Sequence, residues 1–112
     1  MEPNWMDEFD GAITVCDTRG IIVYMNKVSI SQFEKYGGEK LIGSNLIDCH
    51  PEPSKSKLVE MLKQPSVNRY SIEKKGIKKI ITQSPWMENG EFKGVVEISF
   101  VIPNPTPHFV RG

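Results

Sequence analysis

Three short turn sequences constrain this chain more than any other feature of it. Asp17-Thr18-Arg19-Gly20, Lys75-Gly76 and Asn89-Gly90 each stand between two runs rich in β-branched residues. Aspartate bonds its own backbone and glycine accepts positive φ, so each turn reverses the chain and leaves its flanking strands antiparallel. The first turn joins residues 12–16 to residues 21–25. The other two join strands over residues 67–74, 77–86 and 92–102, and Asn89-Gly90 is the stronger hairpin signal.

Between the first hairpin and the last three strands the pattern turns helical. Asn26 is suited to cap a helix that carries Val28, Ile30, Phe33 and Tyr36 on a rough apolar face, and Gly37-Gly38 ends it. Residues 39–43 and 44–48 read as single turns. Ser54 is placed as the N-cap of a longer helix, 54–63, whose Leu58, Met61 and Leu62 form one buried face before Pro65 stops it. Residues 1–10 form an amphipathic N-terminal segment around Trp5 and Phe9, residues 11–103 the domain body, and residues 104–112 an extended Pro-rich tail. Strands and helices segregated in this way give an α+β fold rather than a βαβ nucleotide fold.

At 112 residues the chain has room for one core, and its 14 Lys and Arg balance 14 Asp and Glu. A general nucleic-acid binder needs a cationic surplus, so nucleic acid is not an expected partner. The longest apolar runs, 21–25 and 100–102, fall far short of the roughly 20 residues that span a bilayer, so no membrane insertion is expected. The start, Met1-Glu2-Pro3-Asn4-Trp5, shows no secretory signal, which makes the cytoplasm the expected location and Cys16 and Cys49 free thiols. His50 and His108 lie far apart and no Cys-x-x-Cys is present, so a zinc site is not expected. Lys74-Lys75 and Lys78-Lys79 read as a solvated hairpin end. There is no phosphate loop, nucleophile set or carboxylate pair at catalytic spacing. Ser29 and Ser31 read as ordinary helix-surface residues, and an enzyme is not expected.

Three stretches in this order resemble the PAS domains over roughly residues 10–103. The first is Ala12-Ile13-Thr14-Val15-Cys16-Asp17-Thr18-Arg19-Gly20-Ile21-Ile22-Val23-Tyr24-Met25-Asn26, an apolar strand, Asp-x-x-Gly, a second apolar strand and then Asn. The second is Tyr36-Gly37-Gly38-Glu39-Lys40-Leu41-Ile42-Gly43-Ser44-Asn45-Leu46, similar to the family's glycine-bounded short helices. The third, Asn89-Gly90-Glu91-Phe92-Lys93-Gly94-Val95-Val96, is similar to its final hairpin. The resemblance implies a five-stranded antiparallel sheet with short helices packed on one face, often around a small cavity. It also implies a sensory and dimerisation module of the kind attached to kinases, cyclases or transcription factors. With no effector in this sequence, the expected output passes through a separate signalling protein or through a homodimer built on Trp5 and Phe9. A narrower resemblance lies in Leu46-Ile47-Asp48-Cys49-His50-Pro51-Glu52-Pro53-Ser54. It looks like the Cys-His-Pro-Pro-x-Ser stretch of a bacterial PAS subset, some members of which stand beside iron- or haem-associated modules, with Glu52 set between the prolines here.

The residues expected to line a cavity for a small apolar ligand are Met25, Phe33, Leu46, Cys49, His50, Leu58, Met61, Tyr70, Gln83 and Trp86, with Met87 and Ser84 beside them. The competing expectation is that the large apolar ones simply fill a core of native density. For His50 the choice is between ligating haem iron or another metal and bonding a backbone carbonyl or capping the next helix; the structural role is expected. Cys49 is expected to pack as a small hydrophobe rather than act as a redox thiol. The light-sensing branch of the family carries its cysteine directly after the Asn of Gly-x-Asn-Cys, whereas here Gly43-Ser44-Asn45 is followed by Leu46, so flavin is not expected. The cofactor is otherwise left open, haem included. The reading is a ligand- or partner-binding signalling module without catalysis. The alternatives are a haem- or metal-dependent redox or gas sensor centred on His50 and a ligand-free interaction domain.

Overall fold

The structure, a computed structural model, describes residues 4–112. Residues 1–3 of the N-terminal segment set apart above lie outside the described residues. The elements run β1 (Ala12–Asp17), β2 (Ile22–Met25), α1 (Lys27–Gln32), three 3-10 turns (Glu34–Tyr36, Gly38–Leu41 and Leu46–Cys49), α2 (Ser54–Lys63), β3 (Asn68–Lys74), β4 (Ile77–Glu88) and β5 (Glu91–Val101). All five strands join one antiparallel sheet in the order β2-β1-β5-β4-β3, with β5 in the middle.

Register decides what the sheet shows the helices. Cys16 pairs with Val95, Thr14 with Glu97, Gln83 with Glu97, and Asn68 with Gln83. Side chains alternate across a strand, so these residues share one face. That face carries the core, in which Cys16 and Val95 meet Ile22, Met25, Leu46, Leu58 and Met61. Strands β1 and β5 approach closely where Asp17 pairs with Gly94. Gly94 sits at φ +153, and a Cβ there would run into the carbonyl of Cys16. Only glycine fits that place.

The two-residue turns explain why β4 and β5 are longer at the hairpin than the turn signal alone predicts. Asn89 and Gly90 take φ of 52° and 78°, the left-handed pair of a tight hairpin, so the ladder continues through Glu88 and Glu91.

Helix α1 is shorter than the apolar spacing predicts. Its β-branched and serine residues have weak helix propensity, and beyond Gln32 the chain continues as tighter 3-10 turns. Ser29 is not on the helix surface but fully buried, with its Oγ 2.6 Å from Thr14 Oγ1. The first turn after Asn26 lies directly on β1, which explains the correction. Ser54 is not the cap of α2 either. Pro53 occupies the cap position without a side-chain bond, while the Glu52 carboxylate accepts from the backbone N–H of Ser56 at 2.9 Å and from its Oγ at 2.7 Å.

Asn26 ties the first third of the chain together. Its Oδ1 accepts from the N–H groups of Ile13 and Ser29, both at 2.9 Å, so it caps α1 and anchors β1 at once. Its Nδ2 donates to the carbonyls of Met6 (2.9 Å) and Gly11 (2.8 Å), which hold the N-terminal segment. The Tyr24 hydroxyl donates to Asp7 in the same place, and Lys27 pairs with Glu8 at 2.9 Å. Asn26→Ala deprives several buried groups of partners. It is expected to lower the unfolding free energy by about 3 kcal/mol in a urea titration, and a loss below about 1 kcal/mol contradicts this role.

Candidate functional site

A cleft of about 700 Å³ opens on the helical side of the domain. Phe33, Tyr36 and Leu41 form its apolar and aromatic wall, and Ser44, Asn45, Asp48, Cys49, His50 and Pro51 the other. The second wall is placed by backbone bonds to the free edge of β2. Ile22 donates to the carbonyl of Ser44 and Gly43 to that of Ile22, both at 2.8 Å, and Leu46 donates to Gly20 at 2.7 Å. Asn45 then caps the next turn, its Oδ1 accepting from the N–H of Ile47 at 2.9 Å.

That wall is fastened to the sheet through His50. Nδ1 lies 3.0 Å from the carbonyl oxygen of Leu46, and Nε2 lies 3.0 Å from Oε1 of Glu97 on β5. Gln83 Nε2 donates to the same oxygen at 2.7 Å, and Asn68 Nδ2 donates to Gln83 Oε1 at 2.9 Å. The side chains of His50 and Glu97 are only 8% and 12% exposed, so the pair is nearly removed from water. Burial alone would push the His50 ring down. The hydrogen bond and charge of Glu97, with the Leu46 carbonyl, outweigh it and hold the ring above the ordinary histidine value. Both ring nitrogens thus take partners from the protein itself.

No protein-family model and no curated protein sequence matches the chain. Solved structures are similar to it. The Vibrio cholerae receptor Aer2, described as a dual PAS-heme oxygen sensor, superposes with TM-score 0.62 at 18% identity, over 83% of this chain and 95% of that one. The PAS domain of Bordetella pertussis BvgS gives TM-score 0.64 at 16% identity, over 89% and 82% of the two chains. The Vibrio cholerae VqmA dimer gives TM-score 0.65 at 16% identity, over 91% of this chain and 50% of that one. The chain has a PAS fold.

Within the PAS fold the candidate residues fall in several different places. Phe33, Cys49 and His50 line the cleft. Met25, Leu46, Leu58 and Met61 are buried and packed on one another in the core beneath it, and Gln83, fully buried, holds Glu97. Tyr70 is half-buried on β3, its hydroxyl against Ser54. By alternation Ser84 and Trp86 fall on the face opposite Gln83, where Trp86 Nε1 donates to Glu88 at 3.2 Å. Met87 is exposed. Trp5 and Phe9 pack edge to face with centroids 6.0 Å apart, Trp5 remaining 60% exposed.

Glu97, which fastens the cleft wall through His50, is the residue that sequence reasoning missed. Along β5 the apolar alternation Val96, Ile98, Phe100 marks the face turned away from the helices, while Glu97 and Ser99 look inward. Only the pairing of Glu97 with Thr14 and Gln83 reveals this, and no local signal carries it.

Both thiols are held protonated by their surroundings. Burial, with Asp17 and Glu97 nearby, pushes the Cys16 thiol up to about 11. Burial and the charges of Asp48 and Glu97 push Cys49 up as well. In the folded protein at about pH 8, iodoacetamide is expected to label Cys49 slowly and leave Cys16 untouched, while denaturant makes both react. Peptide mass spectrometry reads the sites. Labelling of native Cys16 at the rate of Cys49 contradicts the packing described.

Proposed function

We propose that this PAS domain is a non-catalytic sensory or signalling module that takes a small apolar or aromatic ligand in the cleft between Phe33 and His50. The observation that carries the reading is the cleft itself. Phe33, Tyr36 and Leu41 offer flat apolar surface, while Asp48 and Asn45 add polar groups that select orientation. Its other wall is bonded to the central strand through His50 and Glu97, so a ligand that prefers one position of that wall shifts the population of the whole helical face. The description of Aer2 as an oxygen sensor and receptor supports a sensory role for the fold. In this chain the imidazole of His50 is already engaged on both sides, which favours an organic ligand over ligation of haem iron.

Output is proposed to pass through a homodimer and a separate signalling protein. Trp5 and Phe9 leave apolar surface in water, and Phe9 lies beside Phe100 and Val101, which are 45% and 55% exposed. Phe9 and these two β5 residues border one shallow hollow, apolar surface suited to a second copy. VqmA, a structural neighbour, is described as a dimer.

Native mass spectrometry of the purified protein tests both halves at once. The expected spectrum is a dimer of the 12.7 kDa chain carrying an added small-molecule mass. Leu41→Trp, which fills the cleft, is expected to keep the dimer and lose the added mass. Trp5→Ala is expected to keep the mass and shift the protein towards monomer. A wild-type spectrum of bare monomer overturns the proposal. So does failure of a panel of aromatic fragments, indole among them, to move any NMR signal of residues 33–51.

A further inference from the structure

The hydrogen-bond geometry at His50 has a chemical requirement of its own. A carbonyl oxygen only accepts, so the Nδ1 that lies 3.0 Å from Leu46 carries a hydrogen. A neutral ring would then present a bare lone pair at Nε2 to Oε1 of Glu97, 3.0 Å away. Gln83 already donates to that oxygen, which as a carboxylate oxygen only accepts. The arrangement closes when both ring nitrogens donate, that is, when His50 is an imidazolium. Either neutral tautomer loses one of the two hydrogen bonds and sets two lone pairs against each other.

We propose that His50 and Glu97 form a proton-operated clasp, which holds residues 46–53 of the cleft wall against the sheet and releases them when His50 loses its proton. The parts of such a device are all present. The side chains of the pair are only 8% and 12% exposed, so water screens their charges weakly, and removing one charge leaves the other without compensation. Among the described residues His50 is the one cation within ion-pair distance of Glu97. The moving part is short: the Leu46–Cys49 turn and the Pro51-Glu52-Pro53 loop, joined to β5 by this bond, to the β2 side at its start by the Leu46 N–H on Gly20, and to the core by Leu46.

The neighbouring titratable groups do not compete for the same proton. Cys16 on β1, Cys49 on the same turn and Tyr70 on β3 all feel the Glu97 charge, and burial pushes each of them up, so they stay neutral while His50 titrates. Asp48, beside Cys49 on the turn, adds negative charge, and Glu52 is engaged by Ser56. The sign follows. Because the folded ring is held above its ordinary value, the clasp is fully formed below the unfolded histidine value and is lost as pH rises through the folded one. The clasp needs no ligand in the cleft, so its test stands whether or not one is found.

NMR of the full chain from about pH 5 to about pH 10 tests it, reading the His50 ring signals beside the amide shifts and order parameters of residues 46–53. The expected result is a His50 midpoint above the ordinary histidine value, with order in residues 46–53 lost at the same midpoint while β1 and β5 stay ordered. Glu97→Gln is expected to lower that midpoint, and His50→Ala to leave residues 46–53 loose at every pH. Wild-type protein suffices should either variant fail to fold. A His50 midpoint below the ordinary value overturns the proposal, as does titration without any response in residues 46–53. Order lost at the same pH throughout the sheet also overturns it.

Discussion

A single carboxylate on the middle strand sets the terms for everything packed above it. Glu97 stands on the helix-facing side of β5, where an uncompensated charge would cost several kcal/mol. The cover above the sheet therefore cannot be hydrocarbon alone. Gln83 brings a donor from the neighbouring β4 and is held in turn by Asn68 on β3, while His50 brings a matching charge from the helical side. Apolar contacts among Met25, Leu46, Leu58 and Met61 supply most of the burial. They are non-directional and tolerate sliding. The His50–Glu97 pair does not, because a displacement of an ångström leaves a charge unpaired.

A second polar centre does comparable work at the other end of the domain. The Asn26 side chain takes four hydrogen bonds, capping α1, fixing β1 and holding the N-terminal segment with Met6 and Gly11. One amide thus connects the outer segment bearing Trp5 and Phe9 to the helix that begins one wall of the cleft. Between them, the two centres leave the cleft bordered by a firmly capped side, around Phe33, and a side whose tie to the central strand is one ion pair. The asymmetry places the adjustable wall at residues 46–53.

Much of the fold is legible in the sequence, because its strongest signals are local. Asn89-Gly90 and Lys75-Gly76 adopt the left-handed turns their residue types favour, and the Leu58–Met61 spacing marks a helix that the structure shows over Ser54–Lys63. The PAS resemblance, resting on motif order, agrees with the sheet order and with the structural neighbours. What the sequence hides is contact at long separation. Ser29 looks like a surface residue until β1 is laid beneath it, and Glu97 looks like a solvent-facing residue of an alternating strand. His50 and Cys49 stand out by chemistry alone, but the partner of His50 lies on the last strand. Pairing register, not composition, brings the two together.

A double-mutant cycle on the unfolding free energy measures directly whether that pair acts as a unit. At about pH 6, His50→Gln and Glu97→Gln are each expected to cost about 3 kcal/mol, since each leaves the other side chain's charge without its counter-charge. The double variant, which buries two neutral groups able to bond each other, is expected to cost clearly less than the sum, with a coupling of about 2 kcal/mol. Costs that simply add would show that the two side chains act independently, and would contradict the account.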